Sequence, residues 1–229
     1  MPELLTENKM KRSEINSYIR EAIAFFKKHK FEMPPWAFWS PEQWNRKCKE
    51  CDEIRKNTLG WDITDFGSGD FKKVGLLLFT IRNGCFKNKK GKPYAEKIMI
   101  SRVNQITPTH FHWNKMEDII NRGGGDLVMR LWKADKKEEP SKEDFTVQVD
   151  GVTRKIKSGG LMRLKTGESI TVEPFIYHRF WAEKSMCLIG EVSMVNDDAN
   201  DNRFHDKVGR FPKIEEDEKP LHLLCNEYP

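Results

Sequence analysis

Long apolar runs are missing from this 229-residue chain, and no stretch approaches the roughly 18 consecutive apolar residues of a membrane-spanning helix. The opening MPELLTENKMKRSEI lacks the apolar centre of a secretory leader. No membrane partner is expected. Cysteine is scarce and odd in number, five in all, which predicts reduced thiols and a cytoplasmic home. Cys48-x-x-Cys51 has no second such pair and no βαβ setting, so it reads as packing thiols on a helix beside Trp44. A dominant charge of one sign is also lacking. The 40 basic and 35 acidic residues are interspersed, and the net charge is only +5, which argues against a nucleic-acid partner. The densest basic run, FKNKKGKP at 86–93, reads as a solvated loop. There is no internal repeat and no convincing linker.

What is present suits one globular unit. Hydrophobic residues make up 38% and charged residues 33%, and the length can bury a substantial core. Residues 13–30 place Ile15, Tyr18, Ile19, Ala22, Ile23 and Phe26 at helical spacing. Ser40, Pro41 and Gln43 predict a capping box and a second helix running to about Gly60, with Trp44, Cys48, Cys51 and Ile54 on one side. Beyond residue 70 the period changes. Short β-rich runs follow one another, the first closed by a hairpin signal at Asn83-Gly84. The fold expected is mainly β, an antiparallel barrel or jelly roll, with the helices of 1–60 packed against a barrel of 61–229 in a single structural domain. The loop NDDANDN at 196–202 has a calcium-loop look at Asp198, Asn200 and Asn202. Arg203 and Gly209 occupy positions that need glycine and glutamate, so it reads as a charged loop at the barrel mouth.

The chemistry gathers in THFHWNKMEDIINRGGG, residues 109–125. Side chains two apart on a strand share a face, so His110 and His112 project together and Phe111 points away. Glu117 follows after a short bend, and Gly123, Gly124 and Gly125 permit a tight turn into the next strand. Imidazoles paired with a carboxylate form a mixed nitrogen and oxygen donor set suited to Mn, Fe, Co, Ni or Zn. His29, His205 and His222 carry no spacing signal.

This spacing resembles the first cupin motif at His110, His112, Glu117 and Gly124, with Asn104 where that motif has its leading glycine. The second motif is similar at Gly167 and His178. Pro174 is displaced by one, Phe175 replaces a glycine and Ala182 replaces the asparagine. The longer stretches at 93–132, 190–204 and 210–229 resemble the D-lyxose isomerase family of cupin-type sugar isomerases. The resemblance implies a manganese-dependent aldose–ketose isomerase acting on D-lyxose and D-xylulose, and on D-mannose and D-fructose, through a metal-stabilised enediol. It implies metal ligands His110, His112, Glu117 and His178, a catalytic Lys115, and a C-terminal proton-transfer glutamate at Glu215, with Glu216 adjacent. Trp113 and Trp36 are candidate sugar-stacking residues, and a homodimer is expected by analogy. An iron-dependent cupin oxygenase and a non-catalytic sugar-binding cupin are the alternatives.

Overall fold

A computed structural model describes residues 9–88 and 90–229. Three short helices, α1 (Arg12–Lys28), α2 (Pro41–Trp44) and α3 (Asp52–Lys56), lie in the first quarter of the chain. The strands are β1 (Met10–Lys11), β2 (Gly60–Thr64), β3 (Leu76–Arg82), β4 (Tyr94–Ser101), β5 (Thr107–Phe111), β6 (Glu117–Lys133), β7 (Phe145–Val149), β8 (Val152–Ile156), β9 (Gly160–Leu164), β10 (Ser169–Val172), β11 (Ile176–Met194), β12 (Arg203–Phe204) and β13 (Ile214–Glu215). β1 pairs with β13. The others form one sheet in the order β2-β3-β4-β11-β6-β10-β7-β8, with β5 also on β11, β12 on β5 and β9 on β6. Within that sheet the ladders are antiparallel.

Two long strands close the barrel. β6 pairs with β10 through its first half and with β9 through its second. β11 pairs with β5 near its start and with β4 near its end. Each therefore serves two layers, and the bulges at Glu183/Cys187 and Leu188/Ile189 provide the bend. The expected mainly-β, cupin-like barrel is thus observed.

Alternation explains which side chains fill it. Leu76, Leu78, Met99, Cys187 and Ile189 point inward with Leu127, Met129, Leu131 and Phe180. Leu77, Phe79, Ile98, Ile100 and Leu188 point outward, where Ile15, Ile19, Ala22 and Phe26 of α1 cover them. The run LLLF is unbroken because both faces of β3 are buried. α1 matches its expected span, and its buried Arg12 reaches Glu216 and Glu227 of the C-terminal segment at 2.6 and 2.5 Å.

Several expectations need correction. The capping box at Ser40 forms, but α2 ends at Trp44 and a short 3-10 turn precedes α3, so no continuous helix spans 41–60. Cys51 is buried while Cys48 is exposed, and the two do not share a packed face. Asn83-Gly84 does not close a two-residue hairpin; β3 and β4 are separated by residues 83–93, and the Asn83 side chain instead ties to the backbone of Asn196.

The glycine run does not turn a hairpin either. It lies within β6 where α1 and β11 approach. A Cβ at Gly123 would stand 2.4 Å from His29 Nδ1, and one at Gly124 would stand 2.1 Å from the Met186 carbonyl oxygen. Gly124 also has φ of 89°. Glycine inside a strand marks such close backbone approach. Gly124→Ala is expected to destabilise the fold by at least ~2 kcal/mol. An unchanged urea midpoint would contradict this.

Candidate active site

The barrel interior opens into a cavity of about 760 Å³. Its wall carries His110, His112, Lys115, Glu117, His178 and Glu191. His110 and His178 face each other across the β5–β11 ladder, and His112 follows just after β5. Each of the three imidazoles offers one nitrogen, and these nitrogens lie within 4.8 Å of one another. Phe111 points the other way, onto Trp113, Phe175 and Tyr177. Strand alternation thus delivers the histidine pair as expected.

Hydrogen bonds set the direction of each ring. His110 Nδ1 lies 2.8 Å from the Pro108 carbonyl oxygen, His112 Nδ1 2.9 Å from that of Asp201, and His178 Nδ1 3.0 Å from that of Ile176. A carbonyl only accepts, so every Nδ1 carries the proton and donates it. In a neutral ring of this tautomer Nε2 carries a bare lone pair. Such orientation by a backbone carbonyl is the usual support for a metal-binding histidine. Burial pushes His110 well below its ordinary pKa and lowers His112 as well, which favours the neutral, ligating form.

Glu117, the first residue of β6, sets one oxygen 3.1 Å from His178 Nε2 and 3.5 Å from His112 Nε2. His112 Nε2 is buried and has no hydrogen-bond partner. Lone pairs and a carboxylate oxygen turned toward each other require a proton or a cation between them. The donor set, its burial and its carbonyl supports therefore fit a divalent metal ion.

The remaining Glu117 oxygen lies 2.7 Å from Lys115 Nζ, which also lies 3.1 Å from Glu191. Lys97 approaches the same Glu191 oxygen at 3.1 Å. All four groups are buried, and Asn196 accepts from both lysines at 2.6 and 3.3 Å. Burial alone would lower Lys115, but Glu117 and Glu191 outweigh it and raise its pKa. Burial would raise the two carboxyls; Lys115 and His112 hold Glu117 well below its usual range, while Lys115 and Lys97 lower Glu191. The pocket thus keeps an ammonium between two carboxylates. Farther along the wall, Arg210 bridges Asp62 and Asp198, and Thr64 and Thr80 add hydroxyls.

Glu191 and Asp201 are the most consequential of the residues that sequence reasoning misses. Glu191 stands inward on β11 between Ile189 and Ser193, a charge at an interior strand position. Asp201 belongs to the acidic loop at 196–202. Its carboxylate accepts from the backbone N–H groups of Asn114 and Lys115 at 2.8 and 2.9 Å, and its carbonyl orients His112. Asp197, Asp198 and Asn202 of that loop line the cavity, as a barrel-mouth loop should.

Glu215, the adjacent Glu216, Trp113 and Trp36 are not brought to the cavity. Glu215 lies in β13 beside Lys11 with an exposed side chain, and Glu216 is committed to Arg12. Trp113 donates to Glu138 at 2.9 Å on the outside of the barrel, and Trp36 packs on Phe79 in the layer under α1. The cavity's aromatic surface comes from Phe66, Phe86, Phe180, Phe204 and Phe211. Trp113→Phe is expected to leave KM for sugar within about twofold of wild type; a rise of tenfold or more, about 1.4 kcal/mol, would restore Trp113 as a contact.

The two positions where cupin glycines are replaced show why glycine is used there. Asn104 has φ of 59° and Phe175 has φ of 62°, both left-handed. Asparagine tolerates this region, whereas for phenylalanine it is an outlier. Phe175 is held there by hydrogen bonds from its N–H to the His112 carbonyl at 3.0 Å and from Ala134 N–H to its own carbonyl at 2.8 Å. The departure from the motif therefore leaves the backbone path intact beside His112.

Comparison with known proteins agrees with this geometry. A model of the D-lyxose isomerase family matches residues 10–228. A D-lyxose/D-mannose isomerase of Escherichia coli O157:H7 is 48% identical over 226 residues, 96% of this chain and 98% of the relative. A second, from Serratia proteamaculans, is 47% identical over 223 residues, with the same coverage of 96% and 98%. Among solved structures, the L-ribose isomerase of Cellulomonas parahominis has a TM-score of 0.63 at 14% identity, covering 92% of this chain and all of that one. That of Acinetobacter sp. DL28 in complex with L-ribose has a TM-score of 0.61 at 15% identity, covering 91% and 99%. Those two likenesses speak to the fold. On the family match and the near-half identity along nearly its full length, the chain belongs to the D-lyxose isomerase family and is a sugar isomerase.

Proposed function

We propose that this chain interconverts D-lyxose with D-xylulose, and D-mannose with D-fructose, by moving a proton between C1 and C2 of the open-chain sugar. The observation that carries this reading is the buried group itself. Three imidazole nitrogens and Glu117 face one another, with Lys115 and Glu191 beside them on the same cavity wall. His110, His112, His178 and Glu117 would hold a divalent first-row ion, and manganese is the ion we propose. When bound, it supplies Lewis acidity and a template for two neighbouring sugar oxygens.

The chain's own residues supply the proton chemistry. Lys115, raised by Glu117 and Glu191 against the effect of burial, donates a hydrogen bond to the sugar carbonyl oxygen as negative charge develops there. Glu191 is held ionised by two lysines and can accept the carbon-bound proton and return it to the adjacent carbon. It takes the role that the family resemblance had implied for Glu215. Asp62, Thr64 and Arg210 offer hydrogen bonds to the remaining sugar hydroxyls, and Phe180 and Phe204 keep the reacting end dry.

The test is direct conversion. Protein supplied with Mn²⁺ should convert D-lyxose to D-xylulose and D-mannose to D-fructose. Absence of both conversions in protein shown to contain the ion would contradict the assignment.

A homodimer is the assembly we propose, with Phe38 in the aromatic segment 31–44 exposed and available for a second copy. Sedimentation as a monomer would contradict it. We propose the cytoplasm as its compartment, in keeping with five free cysteines.

A further inference from the structure

The outer face of the barrel wall behind His178 carries an arrangement that sugar isomerisation does not use. β6 and β11 run in register there, and Arg179 lies directly opposite Arg130. Both side chains point away from the cavity, since His178 and Leu131 take the inward phase. Tyr177 pairs with Trp132 on one side of them and Trp181 with Val128 on the other.

Like charges directly opposite on a ladder are destabilising. Elsewhere on this face the charges are matched: Arg163 meets Glu183 at 3.1 Å and Lys184 meets Asp126 at 2.5 Å. Arg130 and Arg179 have no such partner among the described residues. The Nε of each is buried and makes no hydrogen bond. Arg179 sits 5.9 Å from the Trp132 ring. The acid whose charge bears on it, Asp206, is largely exposed and its carboxylate already meets His205 at 3.0 Å. Burial and the facing Arg130 both pull the Arg179 guanidinium down.

The sealed Nε leaves each guanidinium incompletely solvated, and an anion held at the terminal nitrogens, which are not among the buried orphans, offsets that cost. Paired guanidinium forks match the oxygens of a tetrahedral anion, and the flanking tryptophans lower the local dielectric. A second copy of the chain related by a two-fold axis through this point would bring four arginines together, which disfavours self-association here. We propose that Arg130 and Arg179 form an oxyanion site on the outer barrel wall, suited to inorganic phosphate or the phosphate of a small monoester.

The experiment compares thermal unfolding in sodium phosphate, in glycerol 3-phosphate and in sodium chloride at one constant ionic strength. Wild type should show a saturable rise of roughly 5 °C in both phosphates over chloride. Equal shifts in the two would identify phosphate itself as the ligand, and a larger shift in glycerol 3-phosphate an organic monoester. Arg130→Met and Arg179→Met should each abolish the response. Each should also melt above wild type in chloride, because the repulsion is gone, and should isomerise sugar at the wild-type rate. A wild-type response equal in phosphate and chloride would overturn the proposal. So would a phosphate response retained by both variants. A change of oligomeric state in either variant would also overturn it, by making this face a protein interface.

Discussion

Lys115→Met should lower kcat for sugar isomerisation by about 10³-fold while KM changes much less. The side chain lies between Glu117 and Glu191 at 2.7 and 3.1 Å, and its ammonium bridges the two carboxylates. The proposed reaction places negative charge on a sugar oxygen at this wall. A preorganised donor acts most strongly there, after charge has developed, so its loss falls on kcat. The variant also leaves two carboxylates facing each other without their shared cation. Breaking a buried pair in this way costs roughly 3–5 kcal/mol, so stability must be read alongside activity. Lys115→Arg keeps the charge and should restore most of the stability, yet the bulkier fork should displace the donor and leave kcat depressed. Full activity in Lys115→Met, measured on folded protein with normal metal content, would remove Lys115 from the chemistry.

Glu191→Gln should abolish turnover to the limit of detection, a fall of at least about 10³-fold, with little change in fold. Glutamine preserves the shape and can still accept from Lys97 and Lys115 through its amide oxygen. It cannot take up a proton from carbon. The stability loss should be smaller than for Lys115→Met, because an acceptor remains for both lysines. Glu215→Gln is the matching control: its side chain lies on the exposed β1–β13 edge, so it should isomerise sugar at the wild-type rate. If Glu215→Gln were inactive and Glu191→Gln active, the base would belong to the C-terminal segment after all.

The parts of the site that were legible in the sequence are those that local geometry dictates. His110 and His112 share a face because a strand alternates, and Glu117 and Lys115 lie within a few residues of them. The barrel was legible from period-two runs and turn residues. What escaped depends on contacts far apart in the chain. Lys97 and Glu191 join Lys115 from β4 and β11, and no spacing rule links them to the turn before β6. A charged residue on the inward phase of an apolar strand was the available signal for Glu191. Asp201 was hidden in a loop whose acidic pattern invites a cation-binding reading, whereas its carboxylate caps backbone N–H groups. Glycine permits turns, so the sequence alone predicts a turn at the glycine run. Here it serves close approach, and only the packing of α1 and β11 on β6 reveals that.

The same distinction separates the two misplaced tryptophans from the true cavity wall. Trp113 follows His112 in sequence, but it stands in the bend after β5, where its ring turns away from the cavity and donates to Glu138. Trp36 lies in a 3-10 turn that packs beneath α1, on the opposite side of the sheet from the cavity. Composition identifies aromatic residues; the packing of the segment that carries each decides which of them can meet a substrate.

The claim at the centre of this account is that the buried group of His110, His112, His178 and Glu117 holds the ion on which isomerisation depends. Removal of bound metal with a chelator, followed by Mn²⁺ titration with D-lyxose turnover read at each step, tests it most directly. Activity should vanish on chelation and return in full at one ion per chain, and His178→Ala should neither retain the ion nor recover. Undiminished turnover in protein shown to be free of metal would contradict the account.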